Sequence, residues 1–433
     1  MSASARDIVI VGSGPTGLSA AIELARRGLG ARVVVLERDP IGGGVPRHTD
    51  HLGFGVRDLH RVLTGPAYAA RLLSLASTAG IEVRTGATVA GWDDDAASDG
   101  DLGLRLCVHD AAGVHTIAAA AVVLATGTRE RPRAARLVPG TRPLGVHTTA
   151  AVQQLVALHG IAPGRRAVIV GAEHVSFSAI DTLAHGGCRA VALITDHDRH
   201  QTYSPLVWAT AGRRRVPVLT SVGIASIEGA DRVSAVVLTD GRRIECDTVV
   251  FSGDWVPEHD LARRAGVDLD PGSRSPLVDS GLRTDRTGVF CAGNLVHGAL
   301  QADWCALDGR HVATSIGRWL VDRRWPTPGA TTEIVVAPPV RWSSPHRLAF
   351  GEALPHGRLV LCADVALGRA PLEVRQAGRL LWRGRPRTPV VPGRPFTIDG
   401  RWASSVDPPA GPVTVAAVTG GPLTARRRVH RDR

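Results

Sequence analysis

Three glycines near the N-terminus have the spacing that brings a peptide backbone next to a phosphate. Gly12, Gly14 and Gly17 stand in the segment IVIVGSGPTG, directly after four aliphatic residues. In a G-x-G-x-x-G turn the first glycine makes the tight turn, the second lets a pyrophosphate approach and the third lets the following helix pack closely. This spacing therefore predicts a dinucleotide as the ligand.

The residues that follow the turn complete the pattern. Pro15 and Thr16 begin a helix that we predict over residues 15–27, and the start of a helix favours a phosphate through its free N–H groups and its dipole. Glu37 and Arg38 come directly after the aliphatic run VVVL, where the carboxylate is placed to accept hydrogen bonds from a ribose. The aliphatic runs on either side of the helix predict buried parallel strands.

The same unit occurs a second time along the chain. Residues 167–196 begin AVIVGAEHVS and end on an acid, so that Gly171 aligns with Gly12 and Asp196 with Glu37. A match over a whole strand–helix–strand unit is more specific than three glycines alone. We expect two nucleotide-binding folds in one chain, an arrangement that indicates electrons moving between two cofactors.

One substitution leaves the ligand of the second unit open. Glu173 stands where the first unit has Gly14, and a carboxylate about 4 Å from a phosphate repels it by about 4 kcal/mol at an effective dielectric constant of about 20. Two interpretations remain. Either Glu173 turns away or is neutralised and NAD(P) binds, with Asp196 at its ribose, or the second unit is a scaffold that binds no nucleotide.

Further segments make the chain resemble the two-dinucleotide-domain flavoproteins, the family of thioredoxin reductase and the pyridine nucleotide-disulfide oxidoreductases. They are VVLATGTRERP at 122–132, VVFSGDWVPEH at 249–259 and GVFCAGN at 288–294, and the resemblance covers roughly residues 6–322. It implies FAD as a cofactor, with NAD(P) as a candidate second one. Besides the first turn, the residues that it places at the FAD are Arg47, Ala125, Thr126, Gly127, Gly293, Asn294, Gln301 and Ala302.

These landmarks predict the organisation of the chain. We expect an α/β fold of two Rossmann-like three-layer domains, one inserted in the other, followed by a small C-terminal β module. The FAD-binding domain would take residues 1–146 and 280–325, and the NAD(P)-binding-like domain residues 147–279. The β-rich module would take residues 332–425.

Residues that the chain lacks exclude several kinds of catalytic chemistry. It contains no lysine, and its cysteines never have the spacing of a redox pair. They are Cys107, Cys188, Cys246, Cys291, Cys305 and Cys362. We therefore expect no dithiol relay and no cysteine-ligated metal site, and Schiff-base chemistry on a lysine is excluded.

Without paired thiols, the chain is similar to subunits of amine- and amino-acid-oxidising complexes, such as heteromeric sarcosine oxidase, opine oxidase, proline dehydrogenase and hydrogen cyanide synthase. The resemblance implies an FAD-dependent oxidoreductase, one subunit of a dehydrogenase complex that acts on a small amine, amino acid or polyol phosphate. Two alternatives stay open. One is a stand-alone NAD(P)H-dependent flavin reductase, and the other is a non-catalytic assembly subunit that holds the flavin.

Two histidines are candidates for acid–base catalysis. His48 and His51 lie in the loop after Glu37, where the family's chain passes the flavin ring, and a histidine titrates near neutral pH. The alternative is that these residues cap the next helix, which we predict from about residue 57 to residue 79. Their spacing predicts no metal site.

Charge and hydropathy bear on partners and location. The formal net charge of +11 comes from dispersed arginines without an aromatic-interleaved basic motif. We therefore expect anionic cofactors and a partner subunit or a second copy of the chain, and no nucleic acid. The longest apolar run, near residues 117–125, is too short to cross a bilayer, and the first strand begins too early for a signal peptide. This predicts a cytoplasmic protein without membrane insertion.

Overall fold

The computed structural model of the protein describes residues 4–5, 7–93 and 103–418. Within these residues the α-helices are α1 (Pro15–Arg26), α2 (Gly65–Thr78), α3 (Thr149–His159), α4 (His174–His185), α5 (Ser204–Val207), α6 (Asp260–Arg264), α7 (Asn294–His297) and α8 (Ala302–Asp322). No helix in this described part combines the length and the apolar character that crossing a membrane requires.

Five parallel strands form the sheet of the first dinucleotide fold. In their order across the sheet they are Val289–Cys291, Ala121–Leu124, Ile8–Val11, Val33–Leu36 and Glu82–Arg84. The three middle strands are buried throughout, as expected for aliphatic runs covered on both faces. Helix α8 packs so closely on α1 that a Cβ on Gly309 would lie 2.2 Å from the carbonyl oxygen of Thr16.

A second five-stranded parallel sheet repeats this arrangement except at one edge, where its strand comes first in the fold and not last. Its strands, in order, are Val146–Thr148, Thr248–Phe251, Arg166–Val170, Arg189–Ile194 and Val218–Leu219. In both sheets the strand before the glycine turn lies at the centre. It lies between the strand that leads to the acid and a strand from later in the chain. The predicted fold class is confirmed.

A short antiparallel pair joins the two folds. Thr128–Glu130 pairs with Trp255–Pro257 where the chain enters the second fold and where it returns. After the return, the indole N–H of Trp92 donates to the carbonyl oxygen of Leu261 at 2.8 Å, and Ala262 is part of the core of the first fold. The remaining strands of the two folds are Ser4–Ala5, Leu52–Phe54, Leu63–Thr64, Thr88–Trp92, Leu104–Asp110, Gly113–Ala119, Ile224–Glu228, Ala235–Leu238 and Arg243–Glu245.

The C-terminal module is built from β-strands, as predicted. Five of them form one sheet in the order Arg347–Ala349, Thr331–Val336, Val413–Ala417, Leu372–Gln376 and Arg379–Gly384. A second sheet has the order Val340–Ser344, Arg358–Ala363 and Phe396–Asp399. Leu359, Leu361 and Val374 belong to a hydrophobic core of the module's own. Its predicted end at residue 425 lies outside the described residues.

The module contacts both dinucleotide folds. On the first, the guanidinium of Arg283 donates to Asp279 at 2.8 Å and to Glu352 of the module at 2.6 Å. On the second, the guanidinium of Arg394 donates to the carbonyl oxygen of Gln201 at 3.2 Å. The module therefore bridges the two folds.

The helix predicted from about residue 57 to residue 79 is present, but its predicted first residue was wrong. Helix α2 begins at Gly65, after a hairpin, and ends at Thr78. Its N-cap is Thr64, whose hydroxyl accepts the backbone N–H of Ala67 at 3.4 Å. Threonine is a preferred N-cap residue, so His48 and His51 do not have the capping role that was the alternative to catalysis.

Candidate dinucleotide-binding sites

Two glycines of the first turn stand where a side chain has no room. Gly12 has φ of +104°, and a Cβ there would lie 2.5 Å from the carbonyl oxygen of Ala125. A Cβ on Gly17 would lie 1.9 Å from the carbonyl oxygen of Gly12. The first glycine thus makes the turn and the third allows α1 to pack against it, as predicted.

Gly14 has a different reason to be glycine. Its φ of −71° suits any residue, and no atom lies within 4 Å of a Cβ built on it. Gly14 is the N-cap of α1, and no side chain caps this helix. We call the open space in front of the N-cap and the first helical turn the phosphate seat. In the first fold the seat has room and unpaired N–H groups, which fit the pyrophosphate of a dinucleotide.

A glycine-rich loop closes one side of this seat. The backbone N–H of Gly43 donates to the carbonyl oxygen of Ser13 at 3.1 Å. Gly44, with φ of +64°, approaches Gly14 so closely that a Cβ on Gly44 would lie 2.8 Å from the Gly14 Cα. We did not assign these loop glycines to the site from the sequence, although a run of three glycines in a loop signals a close backbone approach.

Glu37 is held beside the first turn. Its carboxylate accepts the backbone N–H of Ser13 at 2.9 Å and the Ser13 hydroxyl at 2.7 Å, and the backbone N–H of Asp39 donates to its other oxygen at 3.0 Å. Arg47 forms an ion pair with Asp39 at 3.2 Å, whereas the side chain of Arg38 is mostly exposed. The roles of Glu37, Arg38 and Arg47 at the cofactor stay predictions.

Two later segments of the chain meet the first turn. The backbone N–H of Ala125 donates to the carbonyl oxygen of Val11 at 2.9 Å, which brings the segment of Ala125, Thr126 and Gly127 to the turn. A Cβ on Gly293 would lie 2.0 Å from the hydroxyl of Thr16. The structure thus brings together residues that are far apart in the sequence and that the resemblance assigned to one cofactor.

The amide of Asn294 stabilises its own loop. Its Nδ2–H donates to the carbonyl oxygen of Leu300 at 3.1 Å, and its Oδ1 accepts the backbone N–H of the same residue at 2.9 Å. These two bonds set the path of the chain into Gln301 and Ala302, the N-cap and first residue of α8. No side chain caps the start of α8, so the N–H groups of its first turn are not paired by a capping side chain.

The two candidate histidines point to different environments. His48 is buried in the 3-10 turn Val45–His48, and its Nδ1 lacks a hydrogen-bond partner within the described residues. Burial, together with the charge of Arg47, lowers the pKa of His48 to about 4, so the ring is neutral at physiological pH. His51 is exposed and stacks near Phe54 at 5.2 Å between ring centroids. Only His48 is enclosed by the protein.

The second turn has the backbone of the first but a filled seat. Gly171 has φ of +129° and repeats the role of Gly12. Glu173 is the N-cap of α4, and its carboxylate accepts the hydroxyl of Ser176 at 2.7 Å and that of Ser252 at 3.2 Å. The side chain of Asp196 is exposed to solvent. The second turn therefore does not fit a pyrophosphate in this arrangement.

Comparison with known proteins agrees with this architecture. The sequence profile of the pyridine nucleotide-disulphide oxidoreductase family matches residues 6–316. The chain belongs to this family. Its members are FAD-dependent oxidoreductases that use FAD and NAD(P)H, so the predicted enzyme class and the FAD cofactor are confirmed.

Curated relatives include parts of multicomponent systems. The ferredoxin reductase component of chlorobenzene dioxygenase from Cupriavidus sp. strain PS12 is 28% identical, over 70% of this chain and 69% of the relative. An opine oxidase subunit from Agrobacterium tumefaciens strain Ach5 is 26% identical, over 66% of this chain and 61% of the relative. Among solved structures, T. acidophilum thioredoxin reductase shares the fold, with a TM-score of 0.59 at 23% identity over 72% of this chain and 97% of that protein.

The cysteines of this family member are not arranged for disulphide chemistry. All six thiols are free, and all but Cys107 are buried. Burial raises the pKa of the thiols of Cys188 to about 12 and of Cys246 to about 11, so both are protonated at neutral pH. Thiolates, not thiols, are the reactive form. The reductase chemistry after which the family is named therefore has no thiol pair in the described part of this chain.

One buried acid at the junction of the folds was missed from the sequence. Glu130 lies in the joining strand, and its Oε2 accepts the backbone N–H of Ala150 at the start of α3, at 2.8 Å. Burial raises the pKa of Glu130 to about 7, although the N–H of Ala150 lowers it. Nothing in the local segment TRERP signals this burial, which depends on the packing of α3.

A second buried acid was also missed. Asp308 on α8 accepts the Nε2–H of His297 at 2.5 Å and that of His356 from the C-terminal module at 2.9 Å. Burial alone would raise the pKa of Asp308, but the two imidazoles hold it below its usual range. Beside this group, a cavity of about 20 Å³ is lined by Trp304 and Arg358. Asp308 thus ties the module to the first fold.

Proposed function

We propose that this FAD-dependent oxidoreductase works as one subunit of a dehydrogenase complex that oxidises a small amine, amino acid or polyol phosphate. In this proposal FAD lies at the first turn, and part of the chemistry on the organic substrate belongs to a partner subunit. When bound, FAD supplies hydride and electron transfer, while the protein binds and orients it.

The observation that carries the proposal is the open phosphate seat of the first fold. Gly14 leaves room, and the uncapped start of α1 offers N–H groups to a phosphate. The described part of the chain has no thiol pair for a disulphide substrate, which separates it from the thioredoxin reductases that share its fold. Its similarity to a subunit of opine oxidase supports a role within a complex.

Under this proposal His48 handles a proton near the flavin. The 3-10 turn that carries it follows Gly44, which packs on Gly14, and the imidazole is hydrogen-bonded to Gln153 of α3. A neutral imidazole with a pKa of about 4 is a weak base, so under this proposal its Nδ1 orients a proton by hydrogen bonding during the transfer and does not retain it. In the complex with the partner subunit, we expect H48Q to lower the rate of flavin reduction by substrate about a hundredfold while FAD content stays unchanged.

The test begins with the purified chain. We expect bound FAD at about one per chain, and no reduction of the flavin by the candidate amines, amino acids and polyol phosphates when the chain is alone. Co-purification with the products of neighbouring genes, followed by the same assay, should restore reduction by one substrate class. A chain without flavin, or a chain that oxidises such a substrate by itself at full rate, contradicts the proposal.

A second candidate is an NAD(P)H-dependent reductase that passes electrons to a soluble acceptor. The similarity to the ferredoxin reductase component of chlorobenzene dioxygenase favours it. It requires a dinucleotide at the second fold. Anaerobic titration with NADH, followed through the visible flavin absorption band, separates the candidates, because only a reductase of this kind is bleached by a stoichiometric amount of NADH.

A further inference from the structure

The phosphate seat of the second fold contains a carboxylate of the chain itself. Glu173 caps α4 in a reciprocal arrangement, in which the Ser176 hydroxyl donates to its carboxylate at 2.7 Å and accepts its backbone N–H at 3.2 Å. The hydroxyl of Ser252, 79 residues away, donates to the same oxygen at 3.2 Å. Two serine hydroxyls thus hold the carboxylate at the start of α4.

The position of this carboxylate matches the open space at Gly14. A Cβ on Gly253, in the loop after the strand Thr248–Phe251, would lie 1.7 Å from Oε1 of Glu173, and a Cβ on Gly171 would lie 3.2 Å from its Oε2. The carboxylate therefore fills the gap between the glycine turn and the neighbouring loop. A pyrophosphate could enter only after displacing it.

The loop after the acid strand closes the other side of the turn. The backbone N–H of Gln201 donates to the carbonyl oxygen of Ala172 at 2.9 Å, and the hydroxyl of Thr202 bonds to Nδ1 of His174 at 2.6 Å. Tyr203 is held in turn by Arg394 of the C-terminal module, whose guanidinium lies 4.5 Å from the ring centroid. The bond between Gln201 and Ala172 repeats the one between Gly43 and Ser13 in the first fold, so this loop meets the turn alike in both folds and the Glu173 carboxylate is the difference between the two seats.

We propose that the second fold does not bind NAD(P), because its Glu173 carboxylate occupies the phosphate seat as an internal substitute for the pyrophosphate. The fold then serves as a scaffold that joins the FAD fold to the C-terminal module. Under this proposal, electrons reach or leave the flavin without a dinucleotide bound to the second fold.

The test measures binding of NADH and NADPH to the FAD-loaded protein by titration calorimetry. We expect the wild type to show no binding at ligand concentrations of about 1 mM. The variant E173G removes the carboxylate and should tighten binding by about a hundredfold or more, since it removes both the charge and the obstruction. Micromolar binding by the wild type overturns the proposal.

Two further variants keep the result interpretable. Because Glu173 stands at the N-cap of α4, E173S replaces it with a preferred N-cap residue and should also gain binding. E245G makes the same charge change at an exposed site of the second fold and should gain none. Folded E173G and E173S that still fail to bind overturn the assignment of the block to this carboxylate. The assay reads binding alone, so its outcome is independent of whether the proposed substrate class is right.

Discussion

The first and second dinucleotide folds share the order of four parallel strands around the glycine turn and differ in one edge strand, yet only the first leaves space in front of its motif helix. At Gly14 a Cβ would meet nothing within 4 Å, whereas the corresponding Glu173 is bonded to two serine hydroxyls. The backbone fold therefore does not depend on whether a dinucleotide can bind. It depends on the turn glycines Gly12 and Gly171 and on buried aliphatic strands, which both folds contain.

The difference also shows how a binding site leaves backbone groups unsatisfied. The start of α1 has no side-chain cap, so its N–H groups are free for a ligand, while Glu173 and Ser176 form a capping box at the start of α4. A side-chain cap stabilises a helix by about 1 kcal/mol. The first fold lacks this stabilisation and keeps its N–H groups free to bind a phosphate. The second fold has the stabilisation, and its carboxylate excludes a phosphate.

The largest expected effect comes from making the first fold resemble the second. G14E places a carboxylate in the open seat, and we expect FAD affinity to fall by about a thousandfold, because the charge repels the pyrophosphate. The flavin-to-protein ratio after purification measures this. G14A is the matched control, since its Cβ enters open space at a φ that alanine adopts. If G14E retains stoichiometric FAD, the seat is not where the phosphates bind.

The junction between the folds should give a pH dependence. The pKa of Glu130 is raised in the folded state to about 7, so its contribution to stability is present below the unfolded-state pKa and is lost as the pH rises to about 7. We expect wild-type unfolding free energy to fall by about 3 kcal/mol from this group between pH 4.5 and 7. Denaturant unfolding of E130Q should lack this decrease. Equal pH profiles for both proteins would contradict the buried charge.

The third position of each turn offers a smaller contrast. G17A should destabilise the first fold by about 2 kcal/mol, because the new Cβ would lie 1.9 Å from a backbone oxygen. At the corresponding Ser176 a side chain is already accommodated, and S176A should cost about 1 kcal/mol through the lost hydrogen bonds. Thermal unfolding of the two variants measures the difference. Equal losses would show that helix and turn pack alike in both folds.

The smallest effect concerns the contact between the module and the second fold. R394A removes the hydrogen bond to Gln201 and the cation–π contact with Tyr203, at a cost of about 1 kcal/mol. R394A should therefore lower the melting temperature. The control R387A, which changes an exposed arginine of the same loop, should not. A double-mutant cycle of R394A with Y203A measures the interaction energy between the two side chains. A coupling energy of zero would show that their contact does not stabilise the protein.

Much of the fold could be predicted from local pattern. The run of four aliphatic residues before Gly12 predicted a buried parallel strand, and the structure has it at the centre of its sheet. The helix predicted from Pro15 ends at Arg26, one residue earlier than expected. The start of α2 was wrong because the hairpin before it consists of strands of two and three residues, too short to leave a periodic signal.

The sequence by itself determined the two dinucleotide folds, the glycines that turn the chain and the lack of closely spaced cysteines, because these depend on residue type and short-range spacing. Only the tertiary structure decided that Glu173 meets Ser252, that Glu130 is buried under the start of α3 and that Asp308 bonds His356 of the module. The physical reason is that a carboxylate's partners and burial depend on which distant segments pack around it. The spacing of residues along the chain does not indicate which distant segments pack together.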